Sequence, residues 1–135
     1  MKTYLVTGCA GFIGSNFVHY MLEKYEDIRL VNLDKLTYAG NLENLQDIED
    51  DARHIFVQGD ICDKALVTEL IAKYDPDYVI NFAAESHVDR SIKNPEIFVE
   101  SNVLGTVNLL QCCKDAWYDA DAKTWKEGKK YLQVS

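Results

Sequence analysis

The 135-residue chain contains no uninterrupted apolar run near the roughly eighteen residues that a membrane-spanning helix requires. Its start, Met1 to Val6, lacks the long apolar segment and small-residue cleavage site of a secretory leader, so a cytosolic (cytoplasmic) protein is expected. Basic residues are in the minority, 14 Lys and Arg against 22 Asp and Glu for a net charge of −8, and apart from Lys129-Lys130 they are scattered singly. Counterion release from a nucleic acid, or attraction to an anionic bilayer, needs a clustered basic face, so neither partner is expected. Cysteine is scarce. Cys9, Cys62, Cys112 and Cys113 show no Cys-x-x-Cys spacing, and the adjacent pair would project about 100° apart on a helix. Reduced core thiols and no metal site are expected. Two prolines and seven glycines put the chain outside disordered and collagen-like compositions, while 47% hydrophobic and 27% charged residues suit one soluble domain with a buried core.

Apolar, β-rich stretches at Thr3 to Thr7 and Arg29 to Leu33 flank a segment in which Ile13, Phe17, Val18, Met21 and Leu22 recur at helical spacing. A third strand is expected from His54 to Gln58, then a helix from Lys64 to Tyr74 capped by Asp63 and closed by Pro76. Tyr78 to Phe82 reads as a fourth strand. Asn94-Pro95 is a helix start, since proline at the first helical position sacrifices no hydrogen bond, and that helix should reach Trp117. Its apolar arc is wide: Val99, Val103, Thr106, Leu110, Cys113 and Trp117 form one stripe, with Phe98, Asn102, Gly105, Leu109, Cys112 and Ala116 beside it. Asp119 to Lys130 reads as a charged loop, and Tyr131 to Val134 as a fifth strand. Strands alternating with helices imply a parallel sheet with right-handed crossovers, covered on both faces. The stretch from Asp34 to Arg53 has one weak helical patch, Leu42 to Ile48, and otherwise no periodicity.

Gly8-Cys9-Ala10-Gly11-Phe12-Ile13-Gly14 falls between the first strand and the first helix, where a phosphate-binding turn belongs. Gly8 would permit the tight turn, Gly11 the approach of a pyrophosphate, and Gly14 close packing of helix on sheet. Asp34, twenty residues beyond Gly14, ends the second strand, where a carboxylate can accept ribose hydroxyls and would repel a 2′-phosphate. That favours NAD over NADP. Asp60 and Ile61 follow the third strand, where an adenine edge could be read. Phe82, Ala83, Ala84 and Glu85 close the fourth, and small side chains there let backbone approach a ligand. Ser86, His87, Asp89, Arg90 and Ser91 supply polar groups for a second ligand at the same crevice. Tyr20 and Lys24 match the Tyr-x-x-x-Lys spacing of a dehydrogenase base, but they fall in the first helix, behind the phosphate loop, and geometry precedes pKa in choosing a base. His19 reads as a surface or interface residue, and His54 as a strand start.

These residues resemble the extended short-chain dehydrogenase/reductase superfamily, and within it the N-terminal part of the dTDP-glucose 4,6-dehydratase family. Val6-Thr7-Gly8 with Ala10 to Gly14 is common to the superfamily. Asp34-Lys35-Leu36-Thr37-Tyr38-Ala39-Gly40-Asn41 and Ala83-Ala84-Glu85-Ser86-His87-Val88-Asp89-Arg90-Ser91 are particular to the dehydratases, and the likeness spans all 135 residues. Cys9 stands where the family often has glycine.

The resemblance implies a Rossmann-type three-layer α/β/α fold with a parallel sheet of about five strands, residues 1–135 forming an incomplete NAD-binding segment that stops after the fifth strand. It implies NAD contacts from Phe12 and Ile13, from Asp34, Lys35, Leu36 and Thr37 on the ribose side, and from Asp60 and Ile61 at the adenine. Phe82 through Ser86 would line the nicotinamide half, Ser101 would lie in reach, and Ser86 would also touch a dTDP-glucose-type sugar nucleotide. Catalysis in the family uses a Tyr activated by Lys and a Thr-Asp-Glu run. Both would follow Ser135, so no catalytic residue is expected within the chain and it is expected to be inactive alone. A family homodimer forms through the long helix and a later one, which leaves dimerisation of this segment open. A related sugar-nucleotide epimerase or decarboxylase, a non-catalytic dinucleotide sensor and a fragment that binds nothing remain alternatives.

Overall fold

The computed structural model of the chain describes residues 1–36, 42–82 and 103–134. Strands β1 (Lys2–Thr7), β2 (Ile28–Asp34), β3 (His54–Gln58) and β4 (Tyr78–Asn81) form where the apolar stretches lie, each a residue or so from its expected bounds. A separate two-stranded ribbon, β5 (Tyr118–Asp119) and β6 (Thr124–Trp125), precedes β7 (Lys130–Gln133). The main sheet has five strands in the order β3-β2-β1-β4-β7, and every pairing in it is parallel. The chain therefore steps outward from β1 to β3 and then crosses back to the other side of β1. That reversal makes the carboxyl ends of β1 and β4 the topological switch point of the sheet, where open α/β sheets take their ligands.

Alternation along the strands separates two cores. Leu5, Val31, Leu33 and Val79 face helices α2 (Lys64–Tyr74) and α3 (Gly105–Trp117), meeting Val67, Leu70 and Ile71 from one and Leu109, Cys112, Cys113 and Trp117 from the other. Val6 and Leu30 point the opposite way, into Val18, Met21 and Leu22 of α1 (Phe12–Lys24) and Leu45 of a 3-10 helix, Leu42–Ile48. The result is a Rossmann-type α/β/α sandwich. Helix α2 begins as its sequence indicates: the Asp63 side chain accepts from Leu66 N at 3.1 Å, and Asp75 ends the helix in a left-handed conformation at φ 45°.

Three expectations are corrected. The segment Asp119 to Lys130 is not all loop, because β5 and β6 pair antiparallel and the Tyr118 and Trp125 rings pack at 4.7 Å. Ile13 lies outside the buried stripe of α1 and is 63% exposed. On α3, Leu109, Cys112, Cys113 and Trp117 are buried, whereas Val103 just before the helix and Leu110 on it are exposed together with Leu104 and Val107. The expected helix start at Asn94-Pro95 falls outside the described residues. Among the described residues no helix is long and apolar enough to cross a membrane.

Candidate dinucleotide site at the carboxyl edge of the sheet

Parallel pairing brings the ends of β1, β2, β3 and β4 to one edge, and the loops that leave them form the candidate site. Gly8 departs from β1 at φ 72°, a conformation that costs a side-chain-bearing residue about 1–2 kcal/mol. Its N–H donates to Leu33 O at 2.9 Å, and its carbonyl accepts from Gly11 N at 3.2 Å, which closes the turn. Helix α1 then starts at Phe12 with Gly11 as N-cap, no capping side chain and no acidic residue in its first turn. Its first amides and the positive end of its dipole are left for an anion.

Gly14 explains how α1 can sit so low on the loop. A Cβ there would lie 2.9 Å from Gly8 C, 3.1 Å from Cys9 Cα and nearer still to Gly8 O. All three are backbone atoms, so any side chain at this position forces the loop itself to shift. Cys9 and Ala10 turn their side chains into the core and are fully buried. Burial, reinforced by the Asp34 charge, pushes the Cys9 thiol far above its ordinary range, which leaves it inert. Phe12, 80% exposed, and Ile13 stand on the solvent side of the helix start.

Asp34 is buried at the end of β2 and ties two loops together. Its Oδ2 accepts from Ala10 N at 2.9 Å in the glycine loop, and its Oδ1 from Leu36 N at 2.7 Å. Its own carbonyl accepts from Gly59 N at 3.0 Å, which fastens the turn after β3. Leu36 is held at φ 60°. Lys35 Nζ lies 3.2 Å from Asp60 Oδ2, while Asp60 Oδ1 accepts from Cys62 N at 2.9 Å. Burial works to raise the Asp60 carboxyl, but the Cys62 amide and the Lys35 ammonium outweigh it and hold the group below the ordinary carboxylate range. Ile61 points into the core. Phe82 N donates to Thr7 O at 2.9 Å, and its ring packs 5.3 Å from that of Phe17.

Gly8, Gly11, Phe12, Ile13, Gly14, Asp34, Lys35, Leu36, Asp60, Ile61 and Phe82 thus come from four separate loops to one edge of the sheet. Thr37, Ala83, Ala84, Glu85, Ser86 and Ser101 lie outside the described residues, as do His87, Asp89, Arg90 and Ser91. The Tyr20–Lys24 pair forms, with Lys24 Nζ 2.9 Å from Tyr20 OH, but on the exposed face of the last turns of α1. No group of His, Cys, Asp or Glu among the described residues could hold a metal ion.

Supporting contacts escaped the sequence reading. Asn44 donates to Ala10 O at 2.9 Å, which docks the 3-10 helix on the glycine loop. The same helix is gripped by His19, whose Nε2 is 2.7 Å from Asp47 Oδ1 while Nδ1 is 2.7 Å from Ser15 O. Neither acceptor can donate, so the two contacts are satisfied together only when both ring nitrogens carry protons, an arrangement that favours the imidazolium form. Asp47, first among the causes, raises the His19 pKa. At the ends of β1, β4 and β7, the fully buried Asn81 accepts from Thr7 Oγ1 and donates to Gln133 Oε1 at 2.9 Å, and Tyr131 OH donates to the same oxygen at 2.7 Å. No local pattern marks the long-range members of this set, Asn44–Ala10, His19–Asp47, Thr7–Asn81 and Asn81–Gln133, because their partners come from different segments of the chain.

The described geometry has the features that a dinucleotide requires: a glycine cradle that any Cβ would fill, unspent helix amides beside it and a carboxylate at the end of the adjacent strand. Comparison with known proteins agrees. The dTDP-glucose 4,6-dehydratase of Xanthomonas campestris is 54% identical over 135 residues, matching 100% of this chain and 38% of its own length. The crystal structure of dTDP-glucose 4,6-dehydratase from Bacillus anthracis in complex with NAD superposes with a TM-score of 0.82 at 42% identity, covering 100% of this chain and 37% of that one. UDP-glucose 4-epimerase from Brucella ovis in complex with NAD gives 0.73 at 34% identity over 86% of this chain and 33% of that one. The chain therefore spans well under half the length of these relatives. The family model described as GDP-mannose 4,6 dehydratase matches residues 5–135, and the chain belongs to that family.

Proposed function

We propose that the chain is the NAD-binding part of a dTDP-glucose 4,6-dehydratase, a lyase that converts dTDP-glucose to dTDP-4-keto-6-deoxyglucose and water. The observation that carries this reading is the closure of α1 onto the Gly8 turn through Gly14, with Asp34 clamped beside it. In it, the first amides of α1 hold the pyrophosphate while Phe12 and Ile13 flank it. Asp34 accepts the adenosine ribose hydroxyls, with Lys35, Leu36 and Thr37 alongside, and excludes a 2′-phosphate by charge. Asp60 and Ile61 border the adenine. Phe82, Ala83, Ala84, Glu85 and Ser86 line the nicotinamide half, Ser101 lies within reach, and Ser86 also meets the sugar nucleotide. NAD supplies a hydride acceptor that later becomes the donor, so it is regenerated each turnover.

The Tyr, Lys and acidic groups that move protons are assigned to sequence following Ser135. The assembly is a cytosolic homodimer acting in nucleotide-sugar metabolism. Identity higher to the dehydratases than to the epimerase favours dehydration over epimerisation.

Calorimetric titration with NAD⁺ and NADP⁺, on the full-length protein and its Asp34→Ala variant, tests the cofactor reading. NAD⁺ binding that Asp34→Ala weakens at least about tenfold is expected, in line with loss of charge-assisted hydrogen bonds. Retention untouched by the substitution refutes it. NMR of the product formed from dTDP-glucose separates a 4-keto-6-deoxy sugar from an epimer.

A further inference from the structure

Beyond the loops themselves, the turn Gly59 to Cys62 is held from a distance. Gly59 N donates to Asp34 O at 3.0 Å, Asp63 N to Asp60 O at 2.9 Å, and Cys62 N to the Asp60 side chain at 2.9 Å. Each of these partners is near in sequence or on the neighbouring strand. The Ile61 carbonyl is different: it accepts from Asn108 Nδ2 of α3 at 2.6 Å, across 47 residues. Asn108 is itself steered. Its Oδ1 faces Cys112 Sγ at 3.8 Å, one turn along α3, and that sulfur is 3.6 Å from Thr68 Oγ1 of α2. The carboxamide is thus oriented by a contact between the two helices, with its amino group directed at the turn.

We infer that Asn108 is a positioning residue for the adenine end of the dinucleotide site, fixing the Ile61 carbonyl and with it the orientation of the Asp60–Ile61 backbone. This rests on the NAD reading above. Peptide orientation matters there because an adenine edge is read by hydrogen bonds whose strength falls steeply with angle. Removing this long-range donor takes from the partly buried Ile61 carbonyl the partner that α3 gives it, and the turn rotates to satisfy it elsewhere. Alanine is the best helix former, so Asn108→Ala does not weaken α3 by propensity.

The test is calorimetry on the full-length protein with NAD⁺ and with nicotinamide hypoxanthine dinucleotide, which differs at the 6-position of the purine. Wild type should prefer NAD⁺. In Asn108→Ala, affinity for NAD⁺ should fall about tenfold and affinity for the hypoxanthine analogue much less, so the preference narrows. Asn108→Asp, nearly isosteric but unable to donate from that atom, should behave alike, with both variants melting within a few degrees of wild type. Equal losses for both dinucleotides would mark a merely structural role and overturn the inference, as would an unchanged preference or a wild type that has none. Wild-type protein that binds no NAD⁺ would instead bring down the cofactor reading, and this inference with it.

Discussion

Replacing Gly14 by alanine sets two opposed effects against each other. Alanine in a helix interior is favoured over glycine by about 1 kcal/mol, so propensity alone predicts stabilisation. Against that, the new methyl meets Gly8 O and Gly8 C on one side and Cys9 Cα on the other, the last two at 2.9 and 3.1 Å. These are atoms of a turn already committed by the Gly8 N–H bond to Leu33 O, so they cannot swing aside as a side chain would. Overpacking costs about 1–3 kcal/mol, and contact with backbone puts this case in the upper half of the range. The net is a loss of about 1–2 kcal/mol, a melting temperature roughly 3–8 °C lower for a domain of this size. Gly59→Ala is the internal control, because its methyl would meet Leu66 Cδ2 and Leu33 Cδ1, the ends of flexible side chains. Circular-dichroism melts of both variants, with NAD⁺ titrations alongside, should place Gly14→Ala well below Gly59→Ala in melting temperature and in affinity. A Gly14→Ala protein as stable as wild type, or more so, would falsify the claim that backbone contact outweighs propensity.

The His19 clamp predicts a pH dependence with a definite sign. Its folded-state pKa is raised by Asp47, so its stabilising contribution is complete below the ordinary histidine value of about 6.5 and is lost as pH rises through the folded value. The Asp47 pKa is lowered by the same hydrogen bond, so the contribution is also lost at strongly acid pH. His19→Gln should therefore melt below wild type near pH 6 and converge with it near pH 9, and a difference that grows with pH would contradict the pairing. Thiol labelling followed by mass spectrometry should find Cys62, half-buried, as the fast site among these four cysteines. Cys9 and Cys113 should stay unlabelled until the protein unfolds, since burial pushes Cys113 up to about 12 and Cys9 higher still. Rapid labelling of either would show the core to be more open than described. Asn32, fully buried on β2 with neither carboxamide atom hydrogen-bonded among the described residues, should accept leucine with no loss of stability, or a gain of about 1 kcal/mol, checked by urea denaturation.

What the sequence disclosed follows the range over which each signal acts. Strand periodicity, the Asp63-capped helix and the glycine spacing are local, and among the described residues the four strands of apolar sequence, α2 and β7 agree with the structure to within a residue or so, while the expected start of the long helix lies outside them. The β5–β6 ribbon was not legible because strands of two residues are too short to show a period of two. Ile13 broke its helical pattern because it sits in the first turn of α1, outside the face that buries Gly14, Ser15, Val18, Met21 and Leu22. The breadth of the apolar arc on α3 was legible, but the identity of its uncovered side was not. Periodicity gives the width of an apolar face and says nothing of what packs against each part. The supporting contacts of the site were hidden for a stronger reason: Asn44 reaches Ala10 across 34 residues, His19 reaches Asp47 across 28, and Asn81 reaches Gln133 across 52.

Asp34 shows why fold and function cannot be assigned to separate residues at this edge. A carboxylate offers about four lone-pair positions, and two here are taken by Ala10 N and Leu36 N. The remaining two are enough for a pair of ribose hydroxyls, so the side chain can shape the glycine turn and grip a ligand at once. The same charge that would select against a 2′-phosphate is therefore also what draws the loop after β1 against the loop after β2. It follows that the twenty-residue interval between Gly14 and Asp34 has a structural meaning before any cofactor arrives. It is the length of chain that returns the carboxylate to the loop it must hold, and a ligand bound there inherits a site that folding has already assembled.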